Sequence, residues 1–149
     1  VLTMECRIEN KGEWKLLVYF EEFNKETGKE GIPALWDAHH KQEIGKEVSC
    51  YFGICADNGK ETFKYGIGLY PEDAAIVPEG FQELCLPEQT WAIFKFEAST
   101  PTAVQNAWDC IERDFLSSSE EYEVVEGCEL EYYLSEKKCE IWIPVRKKA

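Results

Sequence analysis

Residues 127–134, GCELEYYL, and 139–145, CEIWIPV, flank the short polar stretch 135–138, SEKK, and read as an antiparallel pair of strands. A strand alternates its faces, so Glu129, Glu131 and Tyr133 share one side while Cys128, Leu130 and Tyr132 share the other. The element that would cover such a sheet lies just upstream. Val104, Trp108, Ile111 and Phe115 recur at helical spacing and form an amphipathic stripe. Ser99-Thr100-Pro101 supplies a hydroxyl cap followed by proline at the first helical position. Before the helix, residues 90–96, TWAIFKF, form the clearer part of the strand material that lies on both sides of Pro87. The later part of the chain therefore runs strand, helix, strand, strand.

The same order occurs earlier. Residues 14–20, WKLLVYF, read as a strand, and the polar stretch 21–31 as a loop. A helix is expected from Pro33, with Ile32, Leu35, Trp36 and His39 at helical spacing, running to about Ile44 and stopping at Gly45. Residues 48–56, VSCYFGICA, and 62–70, TFKYGIGLY, form a hairpin around the turn Asp57-Asn58-Gly59. Trp36 and Trp108, 72 residues apart, hold similar places in the two helices. The predicted fold class is α+β: two fused β-α-β-β units in pseudo-twofold arrangement, one antiparallel sheet with two helices on one face. The expected division is a first half over about 1–70, a linker over 71–80 (PEDAAIVPEG) and a second half over about 81–147. Such a layout leaves a groove between the helices, floored by the sheet, of the kind that often takes a ligand.

Composition bounds the function. The 149 residues, 44% hydrophobic and 13% aromatic, are too apolar for a disordered chain and suit one domain. No apolar run approaches the length of a membrane span, and residues 1–9 lack the apolar core of a signal peptide, so a cytoplasmic protein is expected. The first residue is Val, not Met, which fits a chain cut from a longer protein. The net charge of −13 repels phosphate backbones, so no direct nucleic-acid binding is expected. The seven cysteines include no C-x-x-C pair. Cys50, Cys55, Cys85, Cys110 and Cys139 sit among apolar neighbours and read as buried thiols outside any disulfide. Adjacent His39 and His40 cannot point one way on a helix, so one ring packed and one exposed is expected, with no metal site and no cofactor.

Several segments together resemble a known family. They are IPALWDAHHKQEI (32–44), YFGICAD (51–57), YGIGLYPEDAAIVPEGFQELCLPEQTWAIFKFEA (65–98) and CELEYYLSEKKCEIWIPV (128–145). In order and spacing they look like the GyrI-like, or AraC effector-binding, domain, in its integron-associated effector-binding branch. The resemblance implies two fused β-α-β-β units and a ligand pocket near their pseudo-twofold axis. It also implies that a strand carboxylate meets a cationic, aromatic ligand. The family's P-x-x-E-x-Y motif falls on Glu131 and Tyr133, with Cys128 in place of the proline. By the same resemblance, Tyr51 and Tyr65 on strands of the first half are candidate pocket walls.

The candidate ligand-binding residues are thus Glu131, Tyr133, Tyr51, Tyr65, Trp36, Trp91 and Trp142; Trp108, on the helix stripe, reads as core. The expected ligand is small, lipophilic and cationic, because a half-buried carboxylate and aromatic faces select charge and flatness over exact shape. The domain would act alone or as the sensor half of an AraC-type transcription regulator, with DNA bound by a domain outside this chain. Two alternatives remain: a hydrolase of strained, cyclopropane-type toxins with Glu131 as general base, and a protein inhibitor like relatives that act on DNA gyrase.

Overall fold

A computed structural model describes residues 4–56, 61–98, 102–116 and 119–148. The expected turn at 57–59 and helix cap at 99–101 lie outside the described residues. The fold class is α+β with antiparallel strands. The chain divides into two compact units: residues 13–87, and residues 1–12 with 88–149.

In the first unit the order is β2 (Trp14–Asn24), α1 (Gly28–His40), β3 (Phe52–Ala56), β4 (Thr62–Leu69) and β5 (Gln82–Leu86), with a short 3-10 turn at Pro71–Asp73. β4 pairs with both β3 and β2, and β5 adds to the far side of β2, all antiparallel. α1 begins before the expected Pro33 because Asn24 prepares its entry. The Asn24 Oδ1 accepts the N–H groups of Glu26 and Thr27, both at 2.8 Å, and turns the chain directly into the helix. Leu35 of α1 packs on Leu17, Phe23, Tyr65, Ile67 and Leu69 of the sheet. The helix stops at His40 rather than Ile44, and Gln42 follows in the left-handed region (φ 64°).

The second unit opens with β1 (Met4–Lys11), followed after residue 88 by β6 (Gln89–Glu97), α2 (Ala103–Ile111), β7 (Tyr122–Val124), β8 (Glu129–Tyr133) and β9 (Lys138–Lys147). α2 continues through Glu112–Leu116 as a wider π-type turn. β9 lies between β6 and β8, and β1 lines the other side of β6. Under α2, Ala92, Phe94, Phe96, Cys139, Ile141, Ile143 and Val145 form one buried face with Ala107 and Ile111. The small Ala103 and Ala107 at the contact let the helix lie close to the sheet.

Each unit thus holds a β-α-β-β core, to which the first adds one strand and the second adds two. The added strand in the first unit is β5, so residues 82–86, expected in the second half, pair back onto β2. The added strands in the second unit are β1, beside β6, and the short β7, beside β9, and the sequence reading leaves both unassigned. The crossings at 12–13 and 87–88, not the stretch 71–80, separate the two units.

Among the described residues no cysteines are bridged. Cys139 is buried, Cys50, Cys55 and Cys110 are half-buried, and Cys85 is exposed, because it lies on the β5 strand facing outward. His39 is buried and His40 exposed. The His39 Nε2 accepts the Cys50 N–H (3.0 Å), so Nδ1 carries the proton and donates to the Ile44 carbonyl (2.8 Å).

Candidate ligand site

The strand β8 carries Glu129, Glu131 and Tyr133 on one face, and pairing with β9 decides which face that is. Glu131 lies opposite Ile141 and Tyr133 opposite Cys139, two residues of the buried face beneath α2. Glu131 and Tyr133 therefore sit on the helix side of their sheet. Both are half-buried.

Two neutral donors orient the carboxylate. The Trp108 indole N–H donates to Glu131 Oε2 at 2.8 Å, and the Tyr133 hydroxyl donates to Oε1 at 3.1 Å. Trp108 is on the helix stripe, as its spacing indicates, but the centre of the contact belongs to Ala103, Ala107 and Ile111. That leaves the indole at the flank, half-buried, where its N–H reaches the strand. Its role as partner to Glu131 is not visible in periodicity, which reports only which side of a helix faces the core.

Glu129 is the second acid of this face. Burial first, and then the charges of Glu112 and Glu131, push its carboxyl up to about 7. Glu112 is exposed and comes from the π-type turn that ends α2. The cluster thus joins three carboxyl groups, an indole and a phenol. Burial likewise raises the Cys139 thiol above its ordinary range, helped by the charges of Glu131 and Glu140.

Trp91 and Trp142 are placed elsewhere. In the β6–β9 and β8–β9 registers Trp91 faces Pro144, and Trp142 faces both Ile93 and Leu130, on the side of the sheet away from α2. Trp91 is fully buried and meets Trp142 edge to face, with ring centroids 5.6 Å apart. The Trp142 indole donates to Glu140 (3.1 Å), which also accepts from Arg7 Nη1 (2.9 Å). Neither tryptophan is brought to Glu131.

The remaining three candidates belong to the first unit. The Trp36 indole N–H donates to the Tyr65 hydroxyl at 2.9 Å, and Tyr65 is buried. The Trp36 ring stacks on His40, centroids 6.0 Å apart. Tyr51 is engaged separately: its hydroxyl donates to Asp73 and accepts the Tyr70 N–H (3.0 Å). Burial and the Asp73 carboxylate hold the Tyr51 phenol well above its ordinary range. In both units, then, the helix tryptophan donates to a polar strand side chain, Tyr65 in one and Glu131 in the other.

A family profile described as integron-associated effector binding protein matches residues 7–145. The chain belongs to this family. Solved structures share the fold over nearly its whole length. An integron cassette protein from the mobile metagenome of Vibrio cholerae is 13% identical with a TM-score of 0.74, covering 97% of this chain and 99% of its own. SAV2435, solved bound to tetraphenylphosphonium, is 17% identical with a TM-score of 0.76, covering 95% and 94%. EcmrR, solved in complex with DNA, is 10% identical with a TM-score of 0.55, and the match covers 97% of this chain but 58% of EcmrR. No curated protein matches the sequence. Among the described residues, no group of three or more His, Cys, Asp or Glu side chains is arranged to hold a metal ion, and no helix is long and apolar enough to cross a membrane.

Proposed function

We propose that this effector-binding domain senses lipophilic organic cations, which it takes at the Glu131–Trp108–Tyr133 cluster. The observation that carries the reading is the Glu131 carboxylate, half-buried and oriented by an indole N–H and a phenol O–H. Both donors are neutral, so they fix the carboxylate without cancelling its charge. Glu129 and Glu112 add negative potential to the same face. An organic cation has a weak hydration shell and aromatic surface to bury, and it meets here a charge and two aromatic rings. At about 4 Å and an effective dielectric near 20, one such charge pair contributes about 4 kcal/mol. Each ring face adds roughly 0.5–2 kcal/mol. The tetraphenylphosphonium held by SAV2435 is a ligand of this chemistry. The DNA complex of EcmrR supports a further step, in which the domain serves as the ligand sensor of a transcription regulator whose DNA contacts lie in a separate domain.

The test is a tetraphenylphosphonium titration followed by tryptophan fluorescence, on the parent and on Glu131→Gln. Saturable binding is expected in the parent, weakened by about three orders of magnitude in the variant with its circular dichroism unchanged. Equal affinity in both would refute the assignment.

Hydrolysis is the second reading, favoured by the Glu129 carboxyl at about 7 beside the Glu131 carboxylate. A group with that pKa can exchange a proton near neutral pH. Turnover of a strained ester that disappears in Glu129→Gln, with cation binding retained, would select this reading over the first.

A further inference from the structure

Away from the cluster around Glu131, the first unit carries a trough of about 730 Å³ between two loops, residues 42–47 and residues 76–80. Its floor is Tyr19, whose ring packs against Phe81 with centroids 5.8 Å apart. Both loops are pinned to this aromatic pair by glycines in the left-handed region. Gly45 (φ 58°) comes so close that a Cβ there would stand 2.9 Å from the Phe81 ring, and Gly80 (φ 85°) so close that one would stand 3.0 Å from the Tyr19 ring. Hydrogen bonds complete the framing. Ile44 O accepts from the buried His39 ring, Val48 N–H donates to Gly45 O (3.0 Å), and Phe81 N–H donates to Pro78 O (3.1 Å). The trough is therefore built into the folded unit rather than left between slack loops.

Its chemistry is two-sided. Ile76 and Val77, adjacent on one lip, are each 59% exposed, the most exposed large aliphatic residues of the described chain. On the surface of a protein with no need to bind there, two such neighbours on a framed lip are a liability. The rim carries Glu43, Glu47 and Glu79 against a single Lys46. The whole chain carries −13, so a second copy, or a membrane rich in anionic lipid, is repelled from this face while a basic partner is drawn to it. We propose that this trough docks a basic amphipathic segment of another protein. Its apolar side chains would lie against Ile76, Val77 and Tyr19, and its Lys or Arg side chains toward Glu43, Glu47 and Glu79.

The experiment uses the full chain and a fluorescein-labelled synthetic peptide of Leu and Lys residues in amphipathic order, with a Leu and Glu peptide of the same pattern as control. Anisotropy should show saturable binding of the basic peptide alone. Binding should weaken roughly tenfold or more in the double variant Ile76→Ser with Val77→Ser, and similarly in Glu43→Gln with Glu79→Gln. All four positions are exposed, and unchanged melting temperatures would verify that the variants fold. Basic-peptide binding that ignores both double variants would overturn the proposal. So would a dimer in light scattering that the Ile76→Ser, Val77→Ser variant dissolves, or stronger binding to phosphatidylserine vesicles than to the peptide.

Discussion

Replacing Glu129 by Gln should stabilise the protein, and only at high pH. In the folded chain the Glu129 carboxyl is raised from an ordinary 4.5 to about 7, first by burial and then by Glu112 and Glu131. The folded state therefore holds this proton more tightly than the unfolded state does. Between pH 4.5 and 7 the unfolded chain has already released the proton while the folded chain retains it, so stability falls as pH rises through that window and levels off above it. At 1.36 kcal/mol per pH unit the full penalty is about 3 kcal/mol. Gln has nearly the same shape and never ionises, so the variant escapes the penalty. Urea unfolding of parent and variant should give a stability difference that is smallest near pH 4.5 and grows to as much as about 3 kcal/mol in the variant's favour at pH 8, a midpoint shift of roughly 1–2 M. A difference that stays constant across this range would refute the crowding of the three carboxyl groups. The same geometry links protons to ligand. A cation beside Glu131 favours the ionised form of Glu129, so affinity should rise with pH through about 7. Binding near neutrality should release a fraction of a proton, measurable by calorimetry in buffers of different ionisation enthalpy.

Trp108→Phe keeps a ring at the flank of α2 but removes the N–H that holds Glu131 Oε2, so a loss of about 1–2 kcal/mol in chemical unfolding and weaker tetraphenylphosphonium binding are expected; an unchanged affinity would show that Glu131 needs no such positioning. Arg7→Ala leaves the buried Glu140 carboxylate with one fewer charged donor, and the discounted cost, Arg7 being partly exposed, is about 1–3 kcal/mol in the same assay, largely recovered when Glu140→Gln is added.

Alternation and helical spacing reveal what depends on neighbours in sequence. Residues 90–96 and 139–145 are legible because both contain long β-branched and aromatic runs, and α2 because Val104, Trp108, Ile111 and Phe115 keep one face. β1 is different: MECRIENK is mostly polar and exposed along nearly its whole length, since it only borders β6, so no apolar period marks it. β5 reads as strand material, but its partner β2 begins 68 residues earlier, at Trp14, and nothing local names that partner. The α1 boundaries shift because Asn24, in a stretch that reads as loop, starts the helix sooner than Pro33 suggests.

The site divides along similar lines. Glu131 and Tyr133 sharing a face follows from strand geometry, and their lying under α2 follows from the β9 register, which no alternation pattern contains. Trp91 and Trp142 read as plausible walls by residue type alone, and the register turns them to the other side of the sheet. Glu129 owes its raised pKa first to burial and then to the charges of Glu112, 17 residues away on another element, and Glu131, so only the folded arrangement reveals it.

The most direct measurement compares two ions of one shape and opposite charge. Tetraphenylphosphonium and tetraphenylborate present nearly the same four phenyl rings, so calorimetric titration of each into the protein isolates the contribution of the carboxylates. A carboxylate-centred site takes the phosphonium saturably and rejects the borate by two orders of magnitude or more. Equal binding of both ions, or of neither, would contradict it.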